Sequence, residues 1–274
     1  MTRQRRYRPC LSILPILTCI APAICPTHAA DRPNIVFMLS DDQSWNGLSV
    51  PMHPDLEASR SPINQTPWLA KLATQGMRFS AAYAPAPVCS PTRCSLQTGK
   101  TPARNHWTKA GPSMTAADNY PLLPPVSIRR IPFTEITVGE ALRTAGYATA
   151  HFGKWHLAGG GPEQHGYGVS DGNLGNEHAY KFTDPNPVDI FGMAERANEF
   201  MKQNVEAERP FFMQLSWHAL HAPENALAAT RAKYQEIGDR HRPSAGLHCR
   251  KTSIRVWGVS CRRSTSLASP KARL

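Results

Sequence analysis

The stretch Ile35-Val36-Phe37-Met38-Leu39 is apolar at every position and is closed off by Pro33 on one side and by Ser40-Asp41-Asp42 on the other. A strand that alternates apolar and polar residues can leave one face in water, whereas a short run with no polar position must be covered on both faces, as in the interior of a parallel sheet. Later stretches repeat the logic. Ala148 to Phe152 reads as a second interior strand and Phe211 to Trp217 as a third. Between them lie helical patterns: a helix opening at Thr66-Pro67 with Trp68, Leu69 and Leu72 on one face and Gly76 as its stop; Thr137 to Ala145, ending at Gly146; and Phe191 to Ala207, the longest. Arg78 to Tyr83 alternates like a further strand. Strands alternating with helices predict an α/β fold, a mostly parallel central sheet with helices on both faces. The segment from Lys100 to Pro132 has little periodicity and reads as a long surface excursion, either a solvated connector or part of a wall around a site.

The ends of the chain have a different character. Arg3, Arg5, Arg6 and Arg8 precede an apolar stretch from Leu11 to Cys25, and small residues follow at Ala29 and Ala30, the pattern of a signal peptide cleaved there. Pro15 and Pro22 interrupt the stretch, which speaks against a stable membrane anchor. The expected organisation is a leader over 1–30, a catalytic domain portion over 31–239, and a basic tail over 240–274 that departs from the pattern of the body, as a shifted reading frame or a disordered segment would. The product is expected to be exported, periplasmic or secreted. The net charge of +11 belongs to these ends: of 31 Lys and Arg, four lie in the leader and nine after residue 239, leaving 18 against 20 Asp and Glu between them. A body that is not basic removes the main argument for a nucleic-acid partner. Only Cys89 and Cys94 fall in the body, too few for a disulfide scaffold.

Cys89-Ser90-Pro91-Thr92-Arg93, followed by Thr98-Gly99, carries the sharpest functional signal. Read without context it is a helix start with a buried, inert thiol. Fixed positions of this kind match by chance in about one chain of this length in ten thousand. The segment resembles the signature of the sulfatase family, in which the Cys is converted to formylglycine, an aldehyde whose hydrate attacks the sulfur of a sulfate ester. Other segments are similar to the same family. Pro33-Asn34 through Asp41-Asp42 resembles its first metal-binding strand, Gly146 through Leu157 its second signature, and Trp217-His218-Ala219-Leu220-His221-Ala222-Pro223 its late histidine segment, with Leu220 where many members have Pro.

The resemblance implies a set of roles. Asp41, Asp42 and residue 89 would hold Ca²⁺, with Mg²⁺ as the runner-up. Arg93 would support the modified residue 89; Lys154 would neutralise sulfate oxygens; His156 would act as base; and His221 would face the scissile ester, leaving His218 a supporting part. Alternation along an extended segment would put Lys154 and His156 on one side. The implied partners are a sulfated small molecule or sulfated glycan and a formylglycine-generating enzyme. The resemblance spans roughly residues 32 to 239, the amino-terminal portion of the family's catalytic domain. In the family the remainder supplies an Asp-Asn pair to the metal and a further Lys to the sulfate, so the expectation is an incomplete sulfatase with an unpaired sheet edge. A phosphate or phosphonate ester hydrolase of the same superfamily and a non-catalytic anion-binding remnant remain the alternatives.

Overall fold

The three apolar runs sit side by side. In the computed structural model, which describes residues 32–111, 115–116, 118–119, 121–183, 185–222 and 226–235, Ile35–Leu39 forms β1. Pro67–Gln75 forms α1, Cys89–Thr98 α2 and Val138–Thr144 α3. Ala148–Gly153 is β2, Val169–Ser170 β3, Phe182–Thr183 β4, Asn186–Pro187 β5, Ile190–Glu206 α4, Phe211–Ser216 β6 and Ala228–Gln235 α5. The main sheet runs in the order β1-β6-β2-β3 with every pair parallel, so the last strand of the chain lies between the first and the second. Ile35 stands opposite Phe212 and Ala148 opposite Phe211. Strands β4 and β5 make a separate antiparallel ribbon. The leader, with the expected cleavage site, and the basic tail lie outside the described residues.

Side chains divide by strand parity, as a pleated strand requires. Ala148, Ala150, Phe152, Phe211, Met213 and Leu215 join Met193, Ala197, Phe200 and Met201 of α4 in one apolar cluster, with Val36 and Met38 packed against it. Phe212 points into the opposite cluster with Cys94, Trp107, Ile131, Tyr147 and Tyr167, against which Ile35, Phe37, Val138 and Leu142 pack. Helices therefore cover both faces, with α4 on one and α2 and α3 on the other, as the apolar runs predict. Among the described residues β1 pairs only with β6, which leaves its outer edge open.

Helix α3 begins with a reciprocal cap in which Thr137 Oγ1 accepts from Glu140 N at 3.1 Å and Glu140 Oε2 accepts from Thr137 N at 2.8 Å. Helix α2 begins at Cys89 after Val88, which offers no side-chain cap, and Pro91 falls in the first turn, where a missing N–H loses no intrahelical bond. It ends at Gly99 with φ 67°, the left-handed conformation that glycine adopts without strain.

Two expectations fail here. Arg78 to Tyr83 is not a strand. Phe79 is 66% exposed and Tyr83 88%, and among the described residues no strand pairs with the segment; alternation alone cannot make a strand without a partner. The excursion from Lys100 to Pro132 is only partly a surface feature: Trp107 and Ile131 are core residues, and Ile128 N and Ile131 N donate to the carbonyls of His106 and Leu157 at 2.9 and 3.0 Å. No helix among the described residues is long and apolar enough to cross a membrane.

Candidate active site

The site is assembled at the carboxyl ends of β1, β2 and β6, where open α/β sheets place their ligands. Asp41 follows β1, Lys154 follows β2, and Arg93 comes from the first turns of α2 beneath them. All three are almost wholly buried, at 5%, 0% and 3% exposure. Lys154 Nζ donates to Asp41 Oδ2, Arg93 Nη2 lies 3.6 Å from Asp41 Oδ1, and Arg93 Nη1 donates to the Lys154 carbonyl at 2.7 Å. Burial would raise the Asp41 pKa, but Arg93 and Lys154 overturn this and hold the carboxyl below its ordinary value. For the two cations burial dominates: each pKa is lowered, with Asp41 restoring part of the loss.

Two backbone features hold this cluster in place. Lys154 N donates to the Ser216 carbonyl at 2.8 Å, and Gly153 has φ 87° with Ser216 O only 2.1 Å from where a Cβ would stand. Only glycine lets β2 turn so close against β6. The Asp171 carboxylate then accepts from Gly153 N at 2.8 Å. His156 also has positive φ, 56°, so Lys154 and His156 reach the site through consecutive turns and not by alternation along an extended segment. That corrects the expected geometry while leaving both residues at the site. Burial, then Lys154 and Arg93, push the His156 pKa down to about 4, so its ring is neutral near pH 7.

Cys89 is a half-buried free thiol at the first helical position of α2, within electrostatic reach of Arg93 and Lys154. Cys94, on the opposite side of the same helix, is buried and raised to about 11 by burial, first of all; it is unbridged and inert. His221 is half-buried, with Nδ1 2.5 Å from the Ala222 carbonyl oxygen, and its charge reaches Asp41. His218 is buried, stacked on His178 at 5.9 Å and held neutral at a pKa of about 3, first by burial and then by Lys154 and Arg93.

Asp42 is exposed, with φ 53°. Asp41, Asp42 and an oxygen on residue 89 are hard donors that suit a divalent cation in kind, but among the described residues no three Asp, Glu, His or Cys side chains, these included, are grouped closely enough to hold one. Gln97, which no motif singles out, is buried on α2: its Nε2 donates to Gln214 Oε1 at 2.8 Å while Tyr167 OH donates to Gln97 Oε1 at 3.0 Å. These bonds pin the helix carrying Cys89 and Arg93 to β6. No local pattern reveals a pair so distant in the chain.

Comparison with known proteins agrees with this arrangement. Among solved structures, Ps i-CgsB superposes with a TM-score of 0.67 at 20% identity, covering 86% of this chain and 55% of that one. A protein of the alkaline phosphatase superfamily from Vibrio parahaemolyticus superposes at 0.54 with 14% identity, covering 86% of this chain and 51% of the other. These likenesses define the fold class. The profile of the Sulfatase family matches residues 33–255, and the chain belongs to that family. Arylsulfatase G of the rat is 31% identical over 241 residues, 71% of this chain and 42% of the relative; N-acetylgalactosamine-6-sulfatase of the pig is 30% identical over 246 residues, 78% and 44%. The chain thus spans less than half the length of these curated relatives. The family in general uses formylglycine and a divalent metal.

Proposed function

We propose that this protein hydrolyses sulfate esters, with residue 89 as the nucleophile after conversion of Cys89 to formylglycine. The observation that carries the proposal is the convergence of Asp41, Arg93 and Lys154, distant in the chain, on one buried charge cluster around the first turn of α2, where Cys89 begins the helix. A buried pair of cations beside a single carboxylate leaves positive potential for an anionic group, and the helix start adds to it. Modified residue 89 supplies the oxygen that takes up the sulfuryl group; Asp41, Asp42 and residue 89 would hold a divalent cation, Ca²⁺ in preference to Mg²⁺, which when bound would supply Lewis acidity at that oxygen.

The remaining work falls to side chains that are in place. Arg93, fixed by its bonds to Asp41 and to the Lys154 carbonyl, keeps a permanent charge beside residue 89. Lys154 compensates sulfate oxygens. His156, neutral near pH 7, accepts the proton released when sulfate departs, and His221 gives one to the leaving alcohol. The balance is one ester and one water consumed, one alcohol and one sulfate formed. The printed names of the relatives support a sulfated substrate, and the leader supports export to a compartment where such esters are met.

The test is the mass of the peptide containing Cys89 after expression with a formylglycine-generating system. Conversion lowers it by about 18 Da, a covalent change read directly. Turnover of paired aryl sulfate and aryl phosphate esters then separates sulfate from phosphate chemistry. A thiol that stays unmodified while a control sulfatase is converted defeats the catalytic proposal and leaves the anion-binding remnant.

A further inference from the structure

The turn after β2 that delivers Lys154 and His156 is held on its two sides by different means. Toward β6 the hold is backbone to backbone, Lys154 N donating to the Ser216 carbonyl at 2.8 Å. Toward β3 no strand is left to do this, because β3 pairs only with Ala150 and His151 and ends at Ser170. Asp171 takes over there. Its N–H donates to the His151 carbonyl at 3.2 Å, and its carboxylate, where a continuing strand would offer a carbonyl, accepts from Gly153 N at 2.8 Å. Three residues on, the Leu174 carbonyl accepts from Trp155 N and His156 N at 2.9 and 2.8 Å. The loop from Asp171 to Leu174 therefore grips the turn at both ends. Among the described residues, Asp171 is the one side chain that accepts from a backbone N–H between Gly153 and His156.

A carboxylate on a short side chain can swing away from a single N–H into water, so its placement needs an anchor of its own. Arg196 of α4 supplies it: Nε lies 2.7 Å from Asp171 Oδ1 and Nη2 donates to Oδ2 at 2.8 Å, a fork that fixes both oxygens. Arg196 is itself tied, since Nη2 also reaches Asp189 Oδ2 at 2.7 Å, just before the same helix begins. One turn earlier on α4, Met193 Cε stands 2.8 Å from where a Cβ on Gly153 would be, so the helix meets the turn at two points.

Resting on the sulfate-ester proposal, we infer that Asp171 and Arg196 are positioning residues for that site. They act through the turn and not on the ester: together they set the backbone from which Lys154 meets the sulfate oxygens and His156 takes its proton. Asp189 provides an internal contrast. It shares Arg196 but makes no bond to the turn among the described residues, so a loss confined to Asp171 and Arg196 reports positioning, whereas a loss shared with Asp189 reports only the anchoring of α4.

Two readouts on the full chain test this. One is calorimetric titration with 4-nitrophenyl sulfate in a Cys89→Ala background with Ca²⁺ present, which removes turnover; the other is hydrogen exchange of the peptide spanning residues 153–156 without ligand. Asp171→Ala should weaken binding about tenfold and Arg196→Ala about threefold. Both should speed exchange in that peptide and leave the peptide covering β6 unchanged. Arg196→Lys, which keeps a cation beside Asp171, should recover part of the affinity, and Asp189→Asn should bind like the parent. The Arg196 side chain is 41% exposed, so its variants leave the core intact and decide the matter even where Asp171→Ala does not fold. An Arg196→Ala chain that binds and exchanges like the parent, or an Asp189→Asn chain that loses as much affinity as Arg196→Ala, overturns the inference and leaves the sulfate-ester proposal standing. Failure of the parent to bind 4-nitrophenyl sulfate defeats the sulfate site itself, and the inference with it.

Discussion

The two faces of the sheet are built from the same strands and solve opposite problems. On the α4 face, Phe152 and Leu215 meet Met193, Ala197 and Phe200, and Phe200 lies edge-on to both Phe152 and Phe211. Nothing there depends on direction. On the α2 face Phe212 joins the second apolar cluster, but the other alternate residues of β2 and β6, Thr149, His151, Gln214 and Ser216, are polar and buried on the side of Arg93, Gln97 and Tyr167. An apolar face gains free energy roughly by area and tolerates rearrangement, whereas a buried polar face is stable only when each group meets its partner at the right distance. The sheet thus separates cohesion from positioning, and the active-site residues come from the positioning side and its loops.

The largest expected break in that division is Asp41→Ala. It leaves the buried ammonium of Lys154 and guanidinium of Arg93 without their shared carboxylate, a loss of about 3–5 kcal/mol in urea unfolding. A loss below about 1 kcal/mol would mean that the cluster is open to water and holds nothing in place. On the apolar face, Leu215→Ala should cost about 2–5 kcal/mol by transfer and cavity formation. A neighbouring substitution on the other face, Gln214→Leu, should cost less, about 1–3 kcal/mol, through the stranded Gln97 Nε2 and the donor lost to Ser216 Oγ. The pair sharpens the contrast in a second readout. Gln214→Leu should also reduce anion binding at the site by releasing α2, while Leu215→Ala should not; equal effects on binding would erase the distinction between the faces.

How much of this was legible in advance follows from the range of the interactions. Strand β1 could be read because its apolar run is unbroken, β2 and β6 because apolar residues recur through short runs closed by turn residues, and α3 because Thr137 and Glu140 form their cap within one turn. Asp41, Cys89, Arg93, Lys154, His156 and His221 could be picked out as a set only through family resemblance; their meeting is decided by strand order, which no local pattern encodes. Arg78 to Tyr83 misled because alternation reports a possible face and not the existence of a neighbour. The turn that carries Lys154 and His156 was missed because it is imposed by the approach of Ser216 to Gly153, a contact between β6 and β2.

The smallest of these effects tests whether the polar face is as dry as its geometry implies. His151 lies edge-on to Trp155 at 5.2 Å and to Tyr167 at 5.3 Å, and among the described residues neither ring nitrogen has a hydrogen-bond partner. Burial, and after it the charge of Arg93, push its pKa from 6.5 down to about 3. The unfolded chain takes up a proton at this residue as pH falls through 6.5, while the folded chain resists until about 3. The stability contributed by the neutral ring is therefore complete above 6.5 and declines as pH falls toward 3, by at most about 1.4 kcal/mol per pH unit. His218, with a pKa of about 3, adds a slope of the same sign. Asp41 acts in a lower window, since its contribution is present above 3.8 and disappears only as pH falls through its depressed folded value. Urea unfolding at intervals from roughly pH 7.5 to 4.5 isolates the histidines from that carboxylate. The His151→Leu chain, which has no proton to take up here, should lose stability less steeply than the parent on acidification, the gap widening as pH falls. Parallel curves would mean that water reaches His151 and that the face beneath the active site is wet. In that case the fixed placement of Arg93 would rest on its bonds to Asp41 and Lys154 alone.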